Sequence, residues 1–258
     1  MKRVVLFFAA PITAFYSPVS FAESKLVKSQ YVESAFEIES SDTDKEWELA
    51  AEVGGSFTTG NTKTKSFKAK LKGSLGYEYG RITYIAQSYR KKDNDEVSAN
   101  RWKISLKNNL HFSEHASSFA IAEYEKDQFA EHNSISLFAA GYTQRLYDNE
   151  YIRWDADIGP GYNLKKFDDR DESQRIAHIG TNLKVKFSDQ SEFSQKVVAD
   201  LALDQDASDI IRSESALSTS ILENLKMKLA FALRRDSLPG EGKEKTDTET
   251  SVSLVFIF

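Results

Sequence analysis

Residues 225–235 read LKMKLAFALRR, with apolar and small or basic side chains taking turns. A β-strand sends successive side chains to opposite faces. Leu225, Met227, Leu229, Phe231 and Leu233 therefore share one face, and Lys226, Lys228, Ala230, Ala232 and Arg234 the other. The same period of two recurs from Trp47 to the end of the chain and predicts twelve strands. Their expected spans are 47–58, 63–79, 81–91, 97–112, 117–127, 132–147, 151–166, 174–188, 191–204, 210–222, 225–237 and 246–258. The fifth, sixth and tenth alternate poorly, which leaves their facing open.

The order of the connections narrows the architecture. Those after even-numbered strands are tight: YGR, SEHAS, DNE, SDQS and EN. Those after odd-numbered strands are expected to be longer and more charged: TGNTK, KKDNDE, DDRDES, DQDASD and LPGEGKEK. An even number of antiparallel strands, with short turns at one end and longer loops at the other, is the wiring of an outer-membrane barrel. Both termini then lie on the periplasmic side.

The last eight residues, SVSLVFIF, pose the same question from the chain end. An exposed apolar strand of low charge invites edge-to-edge association. In a closed antiparallel barrel the last strand pairs with the first, and that edge disappears.

At the other end, MKRVVLFFAAPITAFYSPVSFAES has a basic start, a short apolar stretch from Val4 to Ala10, and small residues at Ser20 and Ala22. That is the layout of a secretory signal peptide, with cleavage expected after Ala22. Pro11 and Pro18 interrupt the run, and no later stretch approaches the ~18 apolar residues of a membrane-crossing helix. Three segments follow: a signal peptide at 1–22, a flexible periplasmic segment at 23–46, and the barrel at 47–258. Removing Lys2 and Arg3 shifts the formal charge from −5 to −7, which gives no reason to expect nucleic acid. The absence of cysteine excludes disulfides, thiolate metal sites and a lipid anchor on Cys.

Energetics decides which face meets lipid. On the lipid side, Lys68, Lys70 and Lys72 would each cost roughly 2–4 kcal/mol near the midplane. Three such penalties approach the stability of a whole domain. The charged face therefore turns inward. The expected lumen-lining set is Lys68, Lys70, Lys72, Lys103, Lys107, Arg153, Asp155, Asp157, Lys184, Lys186, Lys196, Asp200, Lys226, Lys228 and Arg234. Glu48, Glu52 and Asp204 are expected to add negative charge to it. Asp155 and Asp157 are expected to meet Lys184 and Lys186 on the neighbouring strand, and those lysines in turn neighbour the strand of Asp200. Aromatic belts at the two interfaces are expected near the turns (Tyr77, Tyr79, Phe112, Tyr147, Tyr151, Phe187, Phe193) and near the loops (Phe57, Phe67, Trp102, Tyr162, Phe167).

The terminal SLVFIF resembles the assembly signal of outer-membrane barrels, with Phe256 and Phe258 at the matching positions. That resemblance implies recognition by the barrel-assembly machinery. More narrowly, SFTTGNTKTKSF (56–67), EYEKDQF (123–129) and DADIGPGYNL (155–164) make the chain similar to the YdiY-like, salt-induced outer-membrane proteins, a family of unassigned biochemical activity. The resemblance spans about residue 47 to the end and implies fold and location.

Chemistry beyond the barrel has thin support. Among His111, His115, His132 and His178, none accompanies a serine in a nucleophile motif, so an outer-membrane lipid hydrolase is the least favoured reading and no enzyme is expected. Asp168, Asp169, Asp171 and Glu172 cluster carboxylates without EF-hand spacing, which reads as a solvated loop. No cofactor or metal is expected, the partners are outer-membrane lipid and lipopolysaccharide, and the chain is expected to be a monomer. Two functions stay open on equal terms. One is a small restricted pore or passive envelope component tied to salt or osmotic stress. The other is a structural or adhesive barrel whose lumen is plugged by ion pairs and whose loops bind lipopolysaccharide or a partner. Twelve strands fall between the filled interiors of eight and the open channels of ~16–18.

Overall fold

The computed structural model describes residues 47–58, 64–129, 132–205, 207–239 and 244–258. The expected signal peptide, the segment 23–46, the first loop at 59–63 and part of the last loop lie outside these. Twelve antiparallel strands close into one barrel. They are β1 (Trp47–Thr58), β2 (Thr64–Tyr77), β3 (Gly80–Asp93), β4 (Glu96–Ser113), β5 (Ala116–Asp127) and β6 (Ser134–Asp148), followed by β7 (Ile152–Lys166), β8 (Asp171–Ser188), β9 (Ser191–Ala202), β10 (Ile210–Leu222), β11 (Leu225–Asp236) and β12 (Thr246–Ile257).

Alternation produces the two faces. On β2, Lys68, Lys70 and Lys72 are buried while Phe67, Leu71 and Leu75 are exposed on the outside. On β11, Lys228 and Ala230 are buried between exposed Met227, Leu229 and Phe231. An exposed band of large apolar side chains thus surrounds a charged interior. In water such a surface would be untenable over this extent; in hydrocarbon it is the favourable face. The chain's end is absorbed by closure. Ala50 to Gly55 pair with Ile257 to Val252, and the Phe258 N–H donates to the Leu49 carbonyl at 2.9 Å.

Short side chains hold the tight turns at one end. Asn149 accepts from the N–H groups of Tyr151 and Ile152 at 2.9 and 2.6 Å. Ser188 accepts from Gln190 and Ser191 at 3.3 and 3.1 Å. Each is a side chain standing in for a turn's backbone acceptor.

At the opposite end one expectation fails. KKDNDE is not a long loop: β3 and β4 are joined by Asn94 and Asp95 alone, with φ of 51° and 69°. Two successive positive φ values make the hairpin turn whose twist matches the flanking strands, and Asn and Asp tolerate it. Lys91, Lys92 and Asp93 therefore belong to strand.

The poorly alternating strands face inward through mixed residues. Phe119 and Ile121 on β5, Leu137 and Ala139 on β6, and Ile176 on β8 form an apolar patch inside the barrel. This patch is what blurs the pattern: β5 carries apolar residues inward and Ala120 and Ala122 outward.

The Gly159–Pro160–Gly161 stretch interrupts pairing with β6. The β6–β7 ladder runs from Ala139↔Gly161 to Tyr142↔Ile158 without the two pairs between. Pro160 has no N–H to give. A Cβ on Gly159 would collide with the Ala140 carbonyl, and one on Gly141 with the Ile158 carbonyl, so glycine lets the two backbones close.

Candidate functional site in the barrel interior

Strand alternation turns three groups of ion pairs into the lumen. The first joins β1, β2, β10 and β11. Glu52 receives Lys68 Nζ at 3.1 Å and Lys228 Nζ at 3.5 Å. Lys228, wholly inaccessible to solvent, also reaches Glu214 at 2.9 Å. A buried ammonium is stable only with such counter-charge, because its desolvation costs several kcal/mol.

The second group crosses the barrel. Arg101 on β4 bonds Asp127 at 2.7 Å and Glu125 at 3.3 Å. Lys103 bonds Glu123 at 2.8 Å, and Ser105 donates to the same carboxylate at 3.1 Å. From the far wall, Arg212 on β10 approaches Glu123 at 3.5 Å while holding Asp200 at 2.5 Å. Arg234 on β11 approaches Glu125 at 3.9 Å. Asp200 also meets His178 Nδ1 at 2.7 Å, and the His178 ring packs beside Phe119 at 5.6 Å between centroids.

The third group lies toward the tight turns. Lys107 on β4 reaches Asp157 on β7 at 3.0 Å, and Thr143 donates to the other oxygen of that carboxylate at 2.6 Å. Arg145 joins Asp155 and Asp148 at 2.9 and 3.1 Å, and Arg153 meets Asp148 at 3.3 Å.

These pairs divide the lumen into compartments. A middle cavity of about 60 Å³ has Phe119, Ile121 and Val198 on one side and Lys103, Lys107, Lys196 and Arg212 among its charged walls. A second, of about 50 Å³, opens among His111, Ser113 and His115 at the turn end and shares Lys107, Asp157 and Asn182 with the first. A third, of about 30 Å³, shares Lys103, Glu123 and Arg212 with the middle one and reaches Glu125, Asn163 and Arg234.

Of the expected lining residues, Lys68, Lys70, Lys72, Lys103, Lys184, Asp200, Lys228 and Arg234 are buried. Lys107, Arg153, Asp155, Asp157, Lys186, Lys196 and Lys226 are partly buried on the same inward face. The pairing differs from expectation. Register sets Arg153 opposite Lys184, Asp155 opposite Asn182, and Asp157 opposite Gly180. The aspartates therefore turn to Arg145 and Lys107 instead of Lys184 and Lys186. Asp204 leaves the lumen altogether: it sits past the end of β9 and grips Arg175 on the outer surface at 2.5 Å. Phe256 is exposed on the outward face of β12, with exposed Phe258 following it.

Sequence reasoning overlooked Glu123, Glu125, Asp127, Arg145, Arg212 and Glu214, all from the three strands of uncertain facing, together with Arg101 from β4. A signal was present: EYEKDQF places an acid at every second position, the mark of one strand face.

Among the described residues no three His or carboxylate side chains gather in a metal-binding arrangement. Of the expected FDDRDES loop only 167–170 lie between strands, since β8 begins at Asp171; Arg170 pairs with Glu172 at 2.7 Å and Asp169 at 3.3 Å. Nor does any serine hydroxyl among them hydrogen-bond His178.

Comparison with known proteins agrees with this architecture. The NanC porin superposes with a TM-score of 0.52 at 9% identity, covering 81% of this chain and 98% of that one. The COG4313 outer membrane channel from Pseudomonas putida F1 superposes with a TM-score of 0.50 at 10% identity, covering 86% and 100%. At such identities the likeness is one of fold: a closed barrel of the outer-membrane type. The uncharacterized protein YdiY of Escherichia coli (strain K12) is 25% identical over 201 residues, 76% of this chain and 77% of its own length. The model of a protein family of unknown function, DUF481, matches residues 51–258, and the chain belongs to that family.

Proposed function

We propose that this barrel resides in the outer membrane, reached through the N-terminal signal, and acts as a narrow passage for small polar solutes, restricted by the ion pairs that cross its lumen. The observation that carries this reading is a set of three small interior cavities whose walls meet at the Lys107–Asp157 contact and at the Lys103–Glu123–Arg212 cluster. Charged side chains lining a narrow passage are a known device for selecting ions. No catalytic role is assigned, and salt or osmotic stress is the proposed setting.

Planar-bilayer recording of the purified protein tests the reading. Small conductance steps are expected, smaller than those of wide porins, and Lys196→Gln, at a partly buried residue lining the middle cavity, should change them and alter ion preference. A second reading, a barrel shut by charge, draws on the Arg212 and Arg234 straps between opposite walls. Under that reading the bilayer stays silent.

A further inference from the structure

Outside the barrel, the basic residues are unevenly placed. On the outward faces of the described strands, Lys and Arg occur only toward the loop end: Lys65, Arg90, Lys92, Lys126, Lys166, Arg175 and Arg235. Four of these are contiguous. Lys65 on β2 lies directly opposite Lys92 on β3. Arg90, the next outward residue of β3, sits between Phe67 on β2 and Asn100 on β4. Lys126 on β5 is opposite Trp102 on β4. Asn100 and Gln128 bridge β4 and β5 above them at 2.9 Å.

This arrangement is unfavourable in isolation. Like charges directly across a strand pair repel, and only Lys65 has a carboxylate, Asp95 at 3.2 Å. Among the described residues, Arg90, Lys92 and Lys126 make no ion pair, whereas inside the barrel Lys68, Lys103, Lys107 and Lys228 are each met by an acid. Exposed Phe67 and Trp102 lie directly beside Arg90 and Lys126 on the neighbouring strands, and exposed Tyr124 follows one step toward the membrane middle, its ring centroid 5.2 Å from that of Trp102. Aromatic rings of this kind sit at headgroup level, so the cations stand where lipid phosphates do.

We propose that Arg90, Lys92 and Lys126, with Lys65, form a binding site on the lipid-facing wall of β2–β5 for a phosphorylated glycolipid of the outer leaflet, the phosphates on the cations and the acyl chains along Phe67, Trp102 and Tyr124. The inference rests on the barrel lying in an outer membrane with its loop end outward. Arg offers phosphate a planar pair of donors, and each basic residue near an anionic surface adds about fivefold in affinity.

Native mass spectrometry of the full barrel in detergent, titrated with bisphosphorylated lipid A, tests it. Wild type should retain the lipid. The variant combining Arg90→Gln, Lys92→Gln and Lys126→Gln should bind about 100-fold more weakly or worse, and Arg90→Gln alone roughly fivefold more weakly. Lipid A stripped of its phosphates should bind wild type as poorly as intact lipid A binds the triple variant. Lys166→Gln with Arg235→Gln should change nothing. Equal retention by the triple variant, equal binding of the stripped lipid, or an equal loss in the Lys166/Arg235 variant would overturn the site. Inorganic phosphate binding there as tightly as the lipid would assign the patch to free phosphate and overturn the lipid. Heat-modifiable migration on gels, kept by every variant, shows that the barrel is folded; its absence in wild type would contradict the membrane-barrel reading itself, a separate failure.

Discussion

Arg212 on β10 and Glu123 on β5 stand on opposite walls of the barrel, yet their side chains come within 3.5 Å across its interior. Neighbouring strands are held by backbone ladders whatever their side chains; this contact joins strands that share no ladder. The same guanidinium anchors Asp200, so one residue ties three strands together and narrows the passage at the same point.

Arg212→Ala should therefore act twice. Leaving Glu123 and Asp200 buried without it should cost about 3–5 kcal/mol, read from urea unfolding by tryptophan fluorescence in detergent. Single-channel conductance should rise in the same variant. A stability loss without any change in conductance would show that the strap is structural only.

Lys228 gives a purer test of burial. Its ammonium is inaccessible and faces two acids. Lys228→Met should destabilise by about 3–5 kcal/mol. Adding Glu214→Gln should recover part of that, because one orphaned charge is removed; the double-mutant cycle measures the coupling.

On the outer face, position and depth should decide. Leu229 is exposed in the middle of β11, and Leu229→Arg should cost about 2–4 kcal/mol in a bilayer. The check is unfolding from liposomes. A neutral result would place Leu229 away from hydrocarbon.

His132, in the loop between β5 and β6, is packed against Phe167 in an edge-on contact. Burial pushes its pKa down to about 4 from an ordinary 6.5. The folded state thus binds fewer protons than the unfolded state between those values, so His132 lowers stability as pH falls from about 6.5 to 4. His132→Gln should flatten this part of the pH dependence of thermal unfolding in detergent. A slope unchanged by the substitution would contradict the burial.

Gly159→Ala should slow or weaken closure of β6 on β7, since its added methyl meets the Ala140 carbonyl. The fraction of heat-modifiable barrel after refolding is the readout, and folding equal to wild type would show that the backbones can part at no cost.

Strand number, order and most boundaries could be read from the period of two because lipid and lumen impose opposite chemistry on adjacent residues. β2 and β11 state this plainly, with Lys68, Lys70 and Lys228 between large apolar neighbours. Legibility fails where the interior itself turns apolar. Phe119, Leu137 and Ile176 face inward, and the facing of β5 and β6 is lost with them, along with the acids Glu123 and Glu125 that complete the central cluster. Partner choice was hidden for another reason. Whether Asp157 meets Lys184 or Lys107 depends on register and on contacts across the lumen, neither of which is local in sequence. The Asn94–Asp95 turn carried a local signal, but its charged flanks hid it within an apparent loop.

The central claim is that hydrocarbon contacts one face of every strand and a charged lumen the other. The chain has no cysteine, so single cysteines can be placed along β11 from 225 to 234, labelled with an environment-sensitive fluorophore and read in liposomes containing brominated phospholipid. Quenching should alternate, strong at 225, 227, 229, 231 and 233 and weak at 226, 228, 230, 232 and 234. Uniform quenching, or the opposite phase, would contradict it.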